Sequence, residues 1–344
     1  PAGSVVVSGT LAALALLGIT RADALWHLWI SIGLMLGVSA GIVALVLSAT
    51  VANRWFAAHR GLVMGILTAV YAAGQLTFLP TAAWLSTQYG WRMAVLPALI
   101  GCAVSAVLYA LFARDWPADV GLPPNGETTI QRPPAIAAGN VVTLSLQTVR
   151  EAVSFPAFWI LCGTFFVCGL STSGVITQHF IPFCADNGVG AVQAASYLAL
   201  MGVFNFVGTV CSGWLSDRFD NRILLAWYYG LRGLSLVMLP FSNFDVLALS
   251  IFAIFFGLDF VATIPPTVKL TAQHFGPVKA PILFGWIFAC HQAGGAVSAF
   301  MSGASRDAFL TYLPAYIAAG IACLIAAMAI FALRDIRLVA ARAG

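Results

Sequence analysis

The chain is 344 residues long, 61% apolar and only 8% charged, with a formal net charge of +4. A typical soluble domain is about 25% charged and about 45–50% apolar. So little charge cannot cover a water-facing surface of this size, which excludes a soluble globular protein and points to a chain that crosses a membrane several times.

In a bilayer every backbone polar group must be satisfied without water, so a spanning helix needs about 20 mostly apolar residues. Ten such stretches follow one another, near 4–19, 26–51, 61–88, 92–113, 156–182, 191–214, 223–241, 246–271, 281–303 and 312–333. Their apolar runs are continuous rather than alternating, which excludes barrel strands. The first is short enough to resemble the core of a signal peptide. It lacks a basic leader, and the chain starts at Pro1, so it reads as a truncated span. The expected fold class is an all-α integral membrane bundle of about ten transmembrane helices.

The basic residues set the orientation. With a cytoplasmic start, the cytoplasmic turns and tail hold Arg54, Arg60, Arg114, Arg132, Arg150, Arg218, Arg222, Lys269, Lys279, Arg334, Arg337 and Arg342. The opposite side holds Arg21, Arg92 and Arg306. This is the asymmetry of the positive-inside rule. The net positive charge therefore reports topology and does not point to a nucleic-acid partner.

Residues 114–153 form the one long polar segment, with Pro117, Pro123, Pro124, Gly126, Pro133 and Pro134. They read as a cytoplasmic connector between a first domain, 1–113, with four spans, and a second, 154–344, with six. At its end Leu144, Leu146, Val149 and Val153 fall at roughly helical spacing, which predicts a short helix lying on the membrane surface. The seven cysteines are scattered through apolar stretches with no CxxC pair and read as small buried hydrophobes. No Walker or HExxH motif and no GxSxG nucleophile elbow is present, Gly37-Val-Ser-Ala-Gly41 lying inside an apolar span, so neither an enzyme, a metal site nor a cofactor is expected.

The stretch Gly213-Trp-Leu-Ser-Asp217-Arg218-Phe-Asp-Asn-Arg222 resembles the signature turn of the major facilitator superfamily, with Asp220 where that family usually has Gly. Gly213 permits close helix approach, Asp217 can accept from a neighbouring helix N-terminus, and Arg218 and Arg222 stay on the cytoplasmic face. The run Arg54-Trp-Phe-Ala-Ala-His-Arg60-Gly61-Leu-Val-Met-Gly65, followed by Gly90-Trp91-Arg92, is similar to the family's fourth to sixth helices. The resemblance implies a bundle whose first two family helices are missing, four plus six spans being what such a loss leaves. It also implies secondary transport of a small molecule in a bacterial-type plasma membrane.

Within the family the wording is nearest to the monocarboxylate and oxalate/formate branch. That branch usually places an Arg four residues before the turn's Gly, where this chain has Thr209, preceded by Asn205. Gly33 stands where many proton-coupled members carry Arg, and Phe78-Leu79-Pro80 stands where the efflux signature needs Gly-Pro.

Gly33, Gly37 and Gly41, and likewise Gly61 and Gly65, recur every four residues and read as packing seams. Charged residues at membrane depth are expensive, which makes Asp259 and Arg232 candidates for function. Asp259 lies just before Pro265-Pro266, which must interrupt the helix. It either serves a cavity or pairs with Arg232. His291 and Gln292 lie mid-span, and a histidine there can titrate, meet an anion or make an interhelical hydrogen bond. His179 reads as lining an entrance or facing headgroups. The family fold would place Tyr71, Gln75, Thr172, Thr177 and Gln178 around the cavity.

The expected function is alternating-access transport of a small polar metabolite, an organic acid or monocarboxylate first, driven by protons as a symporter. A membrane sensor or scaffold with the same fold, or an efflux permease for another small molecule, is the alternative.

Overall fold

The computed structural model describes residues 2–43, 51, 54–56, 74, 78–130, 141–276 and 279–333. Nine helices among them are long and apolar enough to cross a membrane, each overlapping an expected span, and the end of the span expected over 26–51 lies outside the described residues. The remaining expected span, 61–88, lies largely outside the described residues, which show its end as helix from 78 to 89. Among the described residues, strand-like pairing is confined to one bridge, Phe56 with Asn125. The chain divides into two compact units, Pro1–Ala135 and Ile136–Gly344.

In the first unit α1 (Ala2–Thr20) packs against α2 (25–43) and α4 (Trp91–Phe112), with α3 covering 78–89. Small residues set these contacts: a Cβ on Gly9 would lie 3.0 Å from Ala106. Ser8 and Ser39 lock α1 to α2 reciprocally, each hydroxyl donating to the other's carbonyl at 2.8–2.9 Å. Arg92, of the Gly-Trp-Arg run, donates to the Ala22 carbonyl at 2.6 Å and so holds the α1–α2 turn. The Arg54 guanidinium sits 4.3 Å over the Trp116 ring.

The second unit holds α5 (Val141–Ala152), α6 (Pro156–Asp186), α7 (Ala191–Ser216), α8 (Asn221–Phe241), α9 (Val246–Phe275), α10 (Ala280–Phe309) and α11 (Leu313–Ala332). Here α6 packs on α10, α7 on α9 and α8 on α11. Exchanging the first three spans with the last three maps this set of pairs onto itself, the relation of inverted repeats in transporters. Glycines let the backbones touch. A Cβ on Gly169 would collide with the His291 carbonyl, one on Gly208 with Leu258, one on Gly294 with Phe166, and one on Gly233 with Gly320 at 2.8 Å. The seam expected at Gly33, Gly37 and Gly41 is not of this kind. Among the described residues nothing lies within 4 Å of a Cβ at Gly33 or Gly41, and at Gly37 only its own helix does. Gly61 and Gly65 lie outside the described residues.

Local chemistry sets the helix ends and irregularities. Asp220 caps α8 by accepting from Arg222 N at 2.8 Å, and Asp245 caps α9 by accepting from Ala248 N at 2.7 Å. In α6 the hydroxyl run Ser171-Thr172-Ser173 lies in a π-helical stretch, Leu170–Ile176. Ser171 and Thr172 donate back to the carbonyls of Val167 and Cys168, competing with the regular ladder.

The predicted break in α9 is present: helix runs to Asp259, turns through 260–263, and resumes at Ile264. Pro266 has no N–H for the Ala262 carbonyl. Ser212 of α7 takes that carbonyl instead, at 2.5 Å.

The connector's terminal helix forms over Val141–Ala152, with one side turned to the core. Thr148 and Ala152 are buried and Val149 packs on the core, while Leu144 and Leu146 are exposed. Two bonds to α10 and its N-terminal residue set that roll angle: Lys279 Nζ to Glu151 at 2.5 Å and Trp286 Nε1 to Ser145 Oγ at 3.0 Å.

Candidate functional site

In the middle of the second unit the break in α9 leaves the Phe260 carbonyl without a backbone donor and the Asp259 carbonyl with a single turn bond, from Ala262 N at 3.2 Å. Arg232, from α8, answers them. Its side chain is fully buried. Nε donates to Asp259 Oδ2 at 2.6 Å, and Nη2 donates to the carbonyls of Asp259 at 2.6 Å and Phe260 at 3.3 Å. Nη1 reaches Cys168 Sγ at 3.0 Å and Ser171 Oγ at 3.5 Å on α6. A guanidinium has five N–H donors, and here each has an acceptor. Asp259 is 7% exposed, and its Oδ1 atom has no hydrogen-bond partner.

Cys168 extends this group toward α10. Its thiol lies 3.3 Å from Thr263 Oγ1, in the turn of α9, and is reached by the imidazole of His291. His291 is half-buried, with its ring stacked on Phe288 at 5.4 Å between centroids and 5.0 Å from Phe165. Its Nδ1 lies 3.0 Å from Oε1 of the exposed Gln292. Four helices thus assemble a polar chain from the buried Asp259 through Arg232, Cys168 and His291 to Gln292 at the surface of the unit. Cys168, Ser171 and Thr263 carry no sequence signal for this role, since each matters only through contacts made far along the chain.

The other expected residues are placed differently. Thr209 Oγ1 bonds the carbonyl of Asn205 at 2.8 Å and its Oδ1 at 3.2 Å, so the branch's anion-clamp position is turned onto its own helix. Thr172 and Thr177 likewise donate to carbonyls within α6, to Cys168 at 2.7 Å and Thr172 at 2.9 Å. Thr177 and Gln178 are exposed. His179 lies 2.8 Å from the Ala299 carbonyl and packs its ring 5.3 Å from Tyr312. It pins α6 to α10. Tyr71 and Gln75 lie outside the described residues.

At the basic end of the helices, the signature turn forms a second network. Asp217, expected to accept from a helix N-terminus, instead pairs with Lys269 from the second half of α9. The nearby N-terminus of α8 is already capped by Asp220, the residue standing where the family usually has Gly. Asp220 also forms a bidentate pair with Arg222, closest at 2.6 Å. Arg222 in turn donates to the Leu333 carbonyl at 3.2 Å, tying the turn to the end of α11. Arg218 stacks 4.1 Å over Trp214, and Gly213 meets nothing within 4 Å.

The Lys269 hydrogen bond and charge hold the Asp217 carboxyl below the usual carboxylate range. A depressed carboxylate keeps its charge at every pH above that range and loses it only as pH falls through the lowered value. The Asp217–Lys269 link therefore persists throughout neutral pH and is no proton sensor. Asp217→Asn is expected to slow the maximal exchange rate several-fold while changing apparent substrate affinity less than about twofold, because the link is an exposed one at the rim. Exchange kinetics over a range of substrate concentrations checks this, and a large affinity loss at a normal maximal rate would contradict it.

The helical architecture is that of solved transporters. One is a bacterial homolog to the human lysosomal transporter Spinster, crystallised inward-facing and unoccupied, with a TM-score of 0.64 and 16% identity over 96% of this chain and 82% of that one. Another is a point mutant of the peptide transporter POT, with a TM-score of 0.65 and 13% identity over 96% of this chain and 79% of that one. At such identities the likeness is one of fold alone. By sequence the chain is 28% identical to the uncharacterized MFS-type transporter YcxA of Bacillus subtilis over 75% of its own length, a match that spans 60% of YcxA. It is 28% identical to monocarboxylate transporter 13 of Rattus norvegicus over 93% of this chain and 70% of that protein. Residues 3–299 match the profile of the Major Facilitator Superfamily, and the chain belongs to that family of multi-pass membrane transporters.

Proposed function

We propose that the protein is a proton-coupled symporter of small organic acids, monocarboxylates first, with His291 and Gln292 as the groups that meet the substrate carboxylate or the transported proton. The observation that carries this reading is the polar chain at the α9 break. Its inner members, Arg232 and Asp259, are spent on one another and on the broken helix. His291 is half-buried beside an exposed amide, so it can exchange with a ligand. Relatives named monocarboxylate transporters support the substrate class. Arg232 and Asp259 then serve as scaffold, and the signature turn serves the conformational cycle.

One observation favours a second reading, a membrane sensor that keeps the fold without transport: no arginine stands at Thr209, and its hydroxyl is engaged within its own helix. Counterflow separates the two. The whole protein in proteoliposomes preloaded with unlabelled monocarboxylate is expected to accumulate the labelled acid transiently, and an inward proton gradient is expected to raise its uptake. Folded protein that shows no counterflow across a panel of short monocarboxylates would rule out the transport reading.

A further inference from the structure

Two thiols meet where α6 and α10 run side by side. Cys162 is 4% exposed and lies near the half-buried Cys290, which packs against the same apolar cluster. Their proximity follows from the seam one turn further along both helices, where Gly294 lets the α10 backbone touch the carbonyl of Phe166. One turn earlier on each helix lie Cys162 and Cys290. The two helices run in the same direction, so their thiols lie side by side. Close-packed backbones are what a disulfide needs, since its Cα atoms must lie within about 4.4–6.8 Å. Phe165 packs on Phe284 and Phe288, and all three belong to the same apolar cluster as Cys162 and Cys290. Cys168, on the next turns of α6, is not equivalent, because its thiol is held by Arg232 and Thr263.

We propose that Cys162 and Cys290 form an intramembrane dithiol that a peroxide oxidises to a disulfide joining α6 to α10. Cys290, the more accessible thiol, is the peroxidatic partner. Its sulfur attacks one peroxide oxygen, the O–O bond breaks, a sulfenic acid forms on Cys290 and the other oxygen leaves as water. The Cys162 sulfur then attacks the sulfenic sulfur, the S–S bond forms and the S–OH bond breaks. Hydroxide leaves and takes the Cys162 proton to give a second water. Two thiols and one peroxide thus yield one disulfide and two waters. A reducing compartment holds the pair as thiols, and oxidative stress closes it.

The test uses the whole protein in lipid nanodiscs, titrated with hydrogen peroxide, then denatured, alkylated and digested. The expected product is one cross-linked pair of peptides carrying Cys162 and Cys290, reversed by dithiothreitol, with the other five of the chain's seven cysteines still alkylated. Dibromobimane, which fluoresces when it bridges two neighbouring thiols, is expected to label the untreated protein at the same pair. Cys162→Ser is expected to leave Cys290 as a sulfenic acid that dimedone captures, and the exposed Cys211→Ser is expected to keep the cross-link. Recovery of Cys162 and Cys290 as free thiols from peroxide-treated wild-type protein, or a disulfide between any other pair, would overturn the proposal without reliance on any variant.

Discussion

Arg232→Leu is expected to remove most of the folded protein from the membrane. The change strands the Asp259 carboxylate in the apolar interior and leaves the carbonyls of Asp259 and Phe260 without the Nη2 donor. Removing one partner of a buried pair costs about 3–5 kcal/mol. The Asp259 carbonyl keeps the Ala262 N–H, but the Phe260 carbonyl is left unsatisfied and adds about 1–3 kcal/mol, against a total stability of about 5–15 kcal/mol. Asp259→Asn is expected to be milder, because Arg232 keeps its bonds to the two carbonyls, to Cys168 and to Ser171. The double variant is expected to recover only part of the Arg232→Leu loss. Its stranded charge is gone, but the broken helix still lacks its donor. Abundance and melting temperature of the three variants decide this. Full recovery in the double variant would show that the carbonyl clamp contributes nothing. An abundant Asp259→Asn protein that exchanges substrate but no longer accumulates it against a gradient would instead make Asp259 the proton carrier.

His291→Asn is expected to leave abundance near wild type while lowering counterflow of monocarboxylate about tenfold or more. A hydrogen bond to a charged group is worth about 1.5–3 kcal/mol, and about 1.4 kcal/mol is a factor of ten in affinity. Histidine is the side chain that changes charge in the physiological range, so uptake is expected to depend on pH in the wild type and to lose that dependence in the variant. The half-buried ring makes few bonds beyond Gln292 and Cys168, which is why little stability is at stake. Transport and a pH profile unchanged in His291→Asn would remove this residue from the site.

Local features were legible in the amino-acid sequence itself. The length of each apolar run, the placement of arginines and lysines, and the Pro265-Pro266 break depend on residues within one or two turns of each other, and the helices follow them closely. The signature turn was legible for the same reason, as its residues are contiguous. Pairing along the chain was not. Nothing local says that Arg232 reaches back to Cys168 and forward to Phe260, or that Asp217 finds Lys269 rather than a helix end. Cysteine shows the limit most plainly. Cys168 and Cys162 read alike in an apolar run, yet one thiol is held by a guanidinium and the other lies near a second thiol. Membrane helices expose similar apolar faces all around, so periodicity does not say which face meets which neighbour. That choice was made by glycine contacts and buried hydrogen bonds, which exist only once helices far apart in sequence have packed.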